Sequence, residues 1–371
     1  MTLAIYRKYR PKTLADIIGQ DLVVEVLGNA AKTGKLSHAY LFSGPRGTGK
    51  TTAARLLAKI ANCETRGKDE TFRKKGEPCN KCLPCEEIDA GRALDVVELD
   101  AASNRGIDEI RNLKEGIRLS PSSHKNKVFI IDEAHQLTKP AFDALLKTLE
   151  EPPAHAIFVL ATTEDDKIPP TISSRTQRFH FRKVSVQLIF EKLQKIAKAE
   201  KLKITDDALE LIASAAEGSF RDAESLLEQV ASMGSNMELE TVEKILGKVG
   251  LMRTSTLTGY LLEKNLPASL EYLMDINEAG FNLVQLTKDL IHYLRRILTY
   301  KFDPKMEAYF DRELTKDELQ EIKKHAGNIK DVDQAIELLK ALIKAYSQMR
   351  YSPFAIVPLE VAIIEQLKGK S

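Results

Sequence analysis

The sequence predicts an α/β fold, with a parallel sheet in its first half and helices alone in its second. Three observations carry this expectation. Apolar strand-like runs alternate with amphipathic stretches as far as residue 181. Between one such strand and one such helix lies Gly44-Pro45-Arg46-Gly47-Thr48-Gly49-Lys50-Thr51, which matches G-x-x-x-x-G-K-[ST] at each fixed position. Beyond residue 181 the strand signal stops and only helical periodicity remains. Three regions are therefore expected: 1–181, 182–245 and 246–371.

Composition limits the function classes. The 371 residues are 43% hydrophobic, enough to bury a core in more than one domain. The 55 basic and 53 acidic residues leave a net charge of +2, so any nucleic-acid contact must come from a local patch. The N-terminus carries Arg7, Lys8, Arg10 and Lys12 without a long apolar core, which does not suit a secretory signal. No apolar run approaches membrane-spanning length, so no membrane partner is expected. A cytoplasmic protein with reduced thiols is expected.

Pro11 interrupts the first helical stretch, and Thr13 or Asp16 can cap the segment after it. Tyr9, Arg10 and Pro11, with Ile17 and Ile18, form either a linker that packs on a nucleotide base or an ordinary lead-in. A helix over Leu22–Lys32 precedes the strand Ala39–Ser43. In the loop after it, glycines allow a tight backbone whose N–H groups turn toward phosphate oxygens. Lys50 reaches the β- and γ-phosphates, and the Thr51 hydroxyl suits Mg²⁺. The next helix, Thr52–Asn62, points its N-terminal dipole at the same anion. Gly44 to Thr51, with Thr52, are the expected nucleotide contacts.

Residues 63–86 interrupt this pattern and hold all four cysteines of the chain, Cys63, Cys79, Cys82 and Cys85. One distant and two close steps in a polar stretch is tetrahedral metal spacing. Four thiolates favour a closed, structural Zn²⁺ site. Unconnected thiols and an Fe–S cluster are the alternatives, though nothing else suggests redox work. Lying outside the nucleotide motifs, the module is expected to be separable from catalysis.

A strand over Asp95–Asp100 and an amphipathic helix over Ile107–Leu119 come next, then the buried strand Val128–Glu133. Its two terminal carboxylates fall where Mg²⁺ and the attacking water sit in such folds. Asp132 suits the metal and Glu133 the water. His135 completes the letters DEAH and carries little weight. A helix over Pro140–Glu151 leads to the strand Ile157–Ala161. Thr162 and Thr163 end that strand, either sensing the γ-phosphate or capping a loop. Arg175, in Ser173-Ser174-Arg175-Thr176, is either a surface ion pair or a group that reaches a neighbouring subunit's nucleotide.

Three helices are expected next, over Val186–Glu200, Asp206–Ala215 and Arg221–Ala231. Arg221 opposes the dipole at its helix start, which is tolerable with an anionic partner, a phosphate or a nearby glutamate. From Leu246 onward Leu286, Leu290, Leu294 and Ile297 form one stripe, and Ile336, Leu339, Ile343 and Tyr346 another. Ile356–Leu367 makes a last apolar helix.

Taken together, YRKYRP, GPRGTGKT, the four-cysteine insertion, IIDEAH, LLKTLEEPP, LATT, SSRT and EGSFRDAESL resemble the γ/τ subunit family of bacterial DNA polymerase III, the ATPase motor of the sliding-clamp loader. The resemblance covers nearly the whole chain. It implies an AAA+ module with a helical lid, followed by an all-α collar domain that oligomerises. ATP or ADP, Mg²⁺ and Zn²⁺ are the implied cofactors. The implied partners are the δ and δ′ subunits, further γ/τ copies, the sliding clamp and primed DNA. One threonine of Thr162-Thr163 resembles the sensor-1 position, Arg175 the finger acting in trans, and Arg221 the sensor-2 arginine acting in cis. Cys63, Cys79, Cys82 and Cys85 match the zinc ligands, and Tyr9, Arg10 and Pro11 the base-binding linker. The family's Ser-Arg-Cys motif reads Ser174-Arg175-Thr176 here, with the arginine kept. The related δ′ subunit usually has a damaged phosphate loop; this loop is intact. Ending after the collar, the chain is expected to be a γ-length form or a shortened τ. Two other readings stand beside the motor. One is a nucleotide-switched scaffold with incidental hydrolysis, which would not need Glu133. The other is a helicase, for which the chain lacks a second motif-bearing domain.

Overall fold

In the computed structural model the described residues are 4–368, apart from 105, 107–109, 111–112, 114, 118, 233, 235–236, 247–249, 311–313, 315 and 350. The strands β1 (Ala39–Ser43), β2 (Val96–Asp100), β3 (Lys127–Asp132), β4 (Ala156–Thr162) and β5 (Gln177–His180) form one parallel sheet in the order β2-β3-β4-β1-β5. Its central strands are apolar on both faces because both faces are covered. Tyr40, Phe42, Val128, Ile130 and Val159 face one layer. In it lie helices α1 (Asp21–Thr33) and α2 (Lys50–Asn62). Leu41, Phe129, Ile131, Phe158 and Leu160 face the other, which contains Ala141, Phe142, Leu145 and Leu149 of a later helix. Phe129 and Phe158 stack across it at 5.5 Å.

Register carries function here. Ser43 pairs with Thr162 and Asp100 with Asp132, so the phosphate loop and the carboxylate end of β3 leave the same edge of the sheet. Local boundaries differ from expectation in small, informative ways. Helix α2 starts at Lys50, inside the loop motif, and β3 stops at Asp132. Glu133 lies beyond the strand, at φ +48°. β4 runs on to Thr162. The helix expected over Ile107–Leu119 lies partly outside the described residues, although Ile110, Leu113 and Ile117 are buried against the sheet.

Helix α3 (Leu83–Asp89) lies in the cysteine segment and α4 (Lys139–Glu150) between β3 and β4; after β5, the long elements among the described residues are all helices. Two compact units result. One comprises 1–184 with 218–222, the other 185–217 with 223–371. The helices α5 (Val186–Glu200) and α6 (Asp206–Ala215) have side-chain N-caps, Ser185 accepting from the Leu188 N–H and Thr205 from the Ala208 N–H. They are followed by α7 (Phe220–Ala231), α8 (Leu239–Leu246), α9 (Leu251–Leu262) and α10 (Leu266–Glu278). The chain ends with α11 (Leu283–Phe302), α12 (Lys316–Asn328), α13 (Val332–Met349) and α14 (Ile356–Leu367). On α11 the stripe Leu286, Leu290, Leu294, Ile297 is buried as expected. On α13 the expected stripe is only partly buried: Ile336 and Leu339 pack at the margin of the core and Ile343 is 51% exposed, while Ala335, Leu338, Leu342, Ala345 and Met349 are the fully buried positions. The helix carries two adjacent apolar stripes, and the one containing small alanines faces the core. Among the described residues no helix is long and apolar enough to cross a membrane.

Candidate nucleotide site and four-cysteine centre

The phosphate loop is shaped by backbone that only glycine adopts cheaply. Gly44 sits at φ +136° and Gly47 at φ +72°. A side chain on Gly44 would strike the Phe181 carbonyl, and one on Gly47 would strike the Ser219 hydroxyl. Thr48 closes the loop by donating from Oγ1 to the Pro45 carbonyl at 2.8 Å, while Arg46 is exposed. Lys50 is buried and its Nζ donates to the Gly44 and Pro45 carbonyls at 2.7 and 2.8 Å. Burial lowers the Lys50 pKa, and the carboxylates of Glu133 and Asp132 pull it the other way.

Three strands bring the chemistry together. Thr51 Oγ1 donates to Asp132 Oδ2 at 2.8 Å, which joins the loop after β1 to the end of β3. At the end of β4 Thr163 Oγ1 donates to Glu133 Oε2 at 3.0 Å. Glu133 is a non-glycine residue in the left-handed region, an arrangement that persists only where surroundings demand it. The structure also separates the two threonines. Thr162 is fully buried and donates to the Glu164 carbonyl at 3.1 Å. Its hydroxyl also lies 3.1 Å from His135 Nδ1, and that nitrogen is 3.5 Å from Glu133 Oε2. Sequence reasoning gave His135 little weight. Its place two residues beyond Glu133 is the available signal.

The cationic side of the site comes from distant segments. Arg10 is half-buried, and its pKa is lowered first by burial and then by Arg55, with Arg7 and Arg221 adding to the effect. Arg55 pairs with Glu98 at 2.6 Å. Arg221 lies over the Tyr6 ring at 5.4 Å, and the N–H of neighbouring Phe220 donates to the Gly47 carbonyl at 3.2 Å. Tyr9 and Pro11 are partly buried beside this cluster in sequence, and Thr52 follows Thr51 on α2. Arg175 stands apart from it. It follows a short helix, Pro170–Ser173, donates to the Thr171 carbonyl at 2.9 Å, and pairs with Glu150 at 2.7 Å. Both partners are substantially exposed, so the pair is worth about 0–1 kcal/mol and holds Arg175 only weakly.

The four cysteines converge. Their sulfurs lie within 4.8 Å of one another, with Cys79–Cys85 and Cys63–Cys82 each at 4.0 Å. These are free thiols, too far apart for disulfides. A tetrahedron with metal–sulfur bonds of about 2.3 Å has edges of about 3.8 Å, which the donor set fits. Cys79 and Cys82 flank a turn with Asn80 at φ +58°. Burial raises the Cys79 pKa, but the Thr65 side chain and the backbone N–H groups of Lys81 and Cys82 outweigh it, leaving it lowered to about 6. Burial raises those of Cys63 and Cys85.

A parallel sheet with a phosphate loop after β1 and paired carboxylates after β3 defines a P-loop nucleoside-triphosphatase module, which implies a nucleotide and Mg²⁺. Comparison with known proteins narrows the class. Residues 19–185 match the family model of the DNA polymerase III delta subunit, and 188–236 that of the DNA polymerase III clamp loader subunit ATPase lid domain. Residues 237–369 match domain III of DNA polymerase III subunits gamma and tau. The chain is 42% identical over 363 residues to DNA polymerase III subunit tau of Bacillus subtilis (strain 168), covering 98% of this chain and 62% of that protein. Against subunit gamma of Buchnera aphidicola subsp. Schizaphis graminum it is 37% identical, covering 97% of each. Against subunit tau of Escherichia coli (strain K12) identity is 40%, over 80% of this chain and 45% of that one. The chain belongs to the family of DNA polymerase III gamma and tau subunits. It spans the length of the gamma relative but under two thirds of the two tau relatives.

Proposed function

We propose that this chain is the ATP-hydrolysing motor subunit of a sliding-clamp loader. The observation that carries the reading is the chain of contacts Thr51–Asp132 and Glu133–Thr163 across the ends of β1, β3 and β4, beside buried Lys50. Lys50 and the loop amides hold the β- and γ-phosphates, and Gly44 to Thr52 line them. Thr51 and Asp132 hold Mg²⁺, which neutralises charge on the phosphates when bound. Glu133 orients and deprotonates the attacking water, with Thr163 controlling the direction of its carboxylate. Thr162 instead fixes His135 beneath Glu133. Tyr9, Arg10 and Pro11 form the base side, and Arg221 closes the phosphate side in cis. Arg221 follows Phe220, whose N–H donates to the Gly47 carbonyl of the phosphate loop, which supports its assignment to the phosphate side. Arg175 acts on the ATP of a neighbouring subunit, and its weak pairing with Glu150 leaves it free to be redirected.

In this reading residues 1–181 form the nucleotide-binding domain, 182–245 the lid and 246–371 the oligomerising collar. The break between family matches near 185 supports the first boundary; the second break, near 236, falls before α8 and so ahead of the proposed 245. Cys63, Cys79, Cys82 and Cys85 hold one structural Zn²⁺. The chain works in the cytoplasm with δ, δ′ and further γ/τ copies. Bound ATP orders them to open the clamp and grip primed DNA, and hydrolysis releases both. The test is ATP turnover by the assembled subunits. It should rise with clamp plus primed DNA together and not with unprimed duplex alone. Equal stimulation by any duplex would favour a helicase-like activity. No stimulation, with turnover unaffected by Glu133→Gln, would favour the switched scaffold.

A further inference from the structure

The four-cysteine segment is not isolated from the nucleotide site. Two residues before Cys79, Glu77 reaches across to the N-terminal linker. Its Oε2 accepts from the Leu14 N–H at 2.7 Å and its Oε1 from the Ala15 N–H at 3.0 Å. Asp16 Oδ2 accepts from the N–H groups of Lys12 and Thr13 at 3.1 and 2.9 Å. Four consecutive backbone donors, 12 to 15, are thus held by two carboxylates. Asp16 is local and moves with the linker. Glu77 is the one that ties it to another part of the fold.

Glu77 is itself rigidly mounted. Buried Arg66 donates to the carbonyls of Glu77, Arg73, Ile60 and Ala31 at 3.4, 3.3, 3.2 and 2.7 Å. It thereby stitches the cysteine segment to α1 and α2. Gly76, at φ +79°, packs so closely on the Gly28 carbonyl and Lys32 that a side chain there would collide. At the other end of the linkage, Leu14 and Ile17 are buried in the cluster that holds Tyr40, Phe42 and Leu57. Ile17 Cγ2 lies 4.0 Å from the position of a Cβ on Gly49 of the phosphate loop. The clamped amides begin one residue after Pro11.

We propose that Glu77 is a positioning residue that couples the cysteine-bound metal centre to the nucleobase end of the nucleotide site. The proposal rests on the reading of Tyr9, Arg10 and Pro11 as the base-binding linker. It revises the expectation that the module is separable from catalysis. Cys63, Cys79, Cys82 and Cys85 would fix the segment when they hold a metal, the segment mounts Glu77, and Glu77 holds the linker in the conformation that receives the base. Preorganisation of this kind affects the part of the ligand that touches the linker and not the phosphates.

The experiment measures Mg²⁺-dependent binding of ATP and of inorganic tripolyphosphate to wild type, Glu77→Gln and Glu77→Ala. Zinc content and thermal melting check the fold. Wild type should prefer ATP. Glu77→Ala should bind ATP about tenfold more weakly, the equivalent of one charge-assisted hydrogen bond, with tripolyphosphate changed less than about twofold. Glu77→Gln, which keeps one acceptor, should fall between. Stripping the metal from wild type with a chelator should reproduce the selective loss and add nothing in Glu77→Ala. Equal losses for both ligands, or a chelated wild type with unchanged preference for ATP, would overturn the coupling. A wild type that binds both ligands equally would instead overturn the base-binding reading, and the coupling with it.

Discussion

Glu133 is the residue on which the proposed chemistry turns. Replacing it with glutamine keeps its shape and the Thr163 hydrogen bond while removing the base. Glu133→Gln should therefore bind ATP normally and lose at least about 100-fold in turnover. A variant hydrolysing at the wild-type rate places the base elsewhere. Thr163→Val leaves the carboxylate without its 3.0 Å donor. It should lower kcat with little effect on ATP affinity, whereas Thr162→Val should disturb the His135 contact instead. Asp95 is a structural counterpart. Its fully buried carboxylate accepts from the backbone N–H groups of Ser122, Ser123 and His124 at 2.8, 2.9 and 2.9 Å. Burial raises its pKa, but these donors and His124 bring the net value below the ordinary one. A depressed folded-state pKa means stability that is present above the unfolded value, near 4, and lost as pH falls through the lower folded value. Asp95→Asn should cost about 1–3 kcal/mol at pH 7, and the gap from wild type should close in acid. Denaturant titrations at pH 7 and pH 3 check both halves; a gap that widens in acid contradicts the assignment.

At the scale of elements, α13 offers a direct comparison. Leu342 is buried and Ile343, its neighbour, is half exposed. Truncating Leu342 to alanine should cost about 2–5 kcal/mol through lost burial and a residual cavity. Ile343→Ser should cost less than about 0.5 kcal/mol. Urea unfolding monitored by helical circular dichroism reads both, and equal costs would mean the helix is rotated from the position described. The same packing logic explains the sheet. Each central strand alternates between two buried layers, so a one-residue slip would exchange the layers and move Asp132 off the edge it shares with Ser43 and Thr162.

Arg175 makes its prediction for the whole assembly. A guanidinium supplied across an interface stabilises charge on the transferring phosphoryl only when subunits align, and such fingers contribute roughly 10³–10⁵ in turnover. An isolated chain should bind ATP and hydrolyse it slowly. Arg175→Ala should bind ATP nearly as wild type and lose assembly-stimulated hydrolysis. Mixing supplies the decisive comparison. Lys50→Ala subunits cannot use their own ATP but still offer Arg175, so blending them with Arg175→Ala subunits should restore part of the stimulated rate. Absence of rescue at every ratio, with assembly verified by native mass, means the arginine acts in cis.

The phosphate loop, the acidic end of β3 and the cysteine set are legible in the sequence because their chemistry is written in short spans. A glycine-rich turn between a strand and a helix needs eight consecutive residues, and two of the three gaps between cysteines are only two residues long. Alternating apolar runs likewise announced a two-sided sheet, since burial of both faces leaves no polar stripe. What could not be read there depends on residues far apart in the chain. Whether Thr162 or Thr163 meets Glu133 turns on where β4 ends relative to β3. Which apolar stripe of α13 is buried turns on the helices packed against it. His135 gained its place from a hydroxyl 27 residues later, and Glu77 its place from amides more than 60 residues earlier. A hydrogen bond of that sequence separation leaves no periodicity or spacing behind. It exists only after the core of Leu14, Ile17 and α2 has set the distance between the two segments.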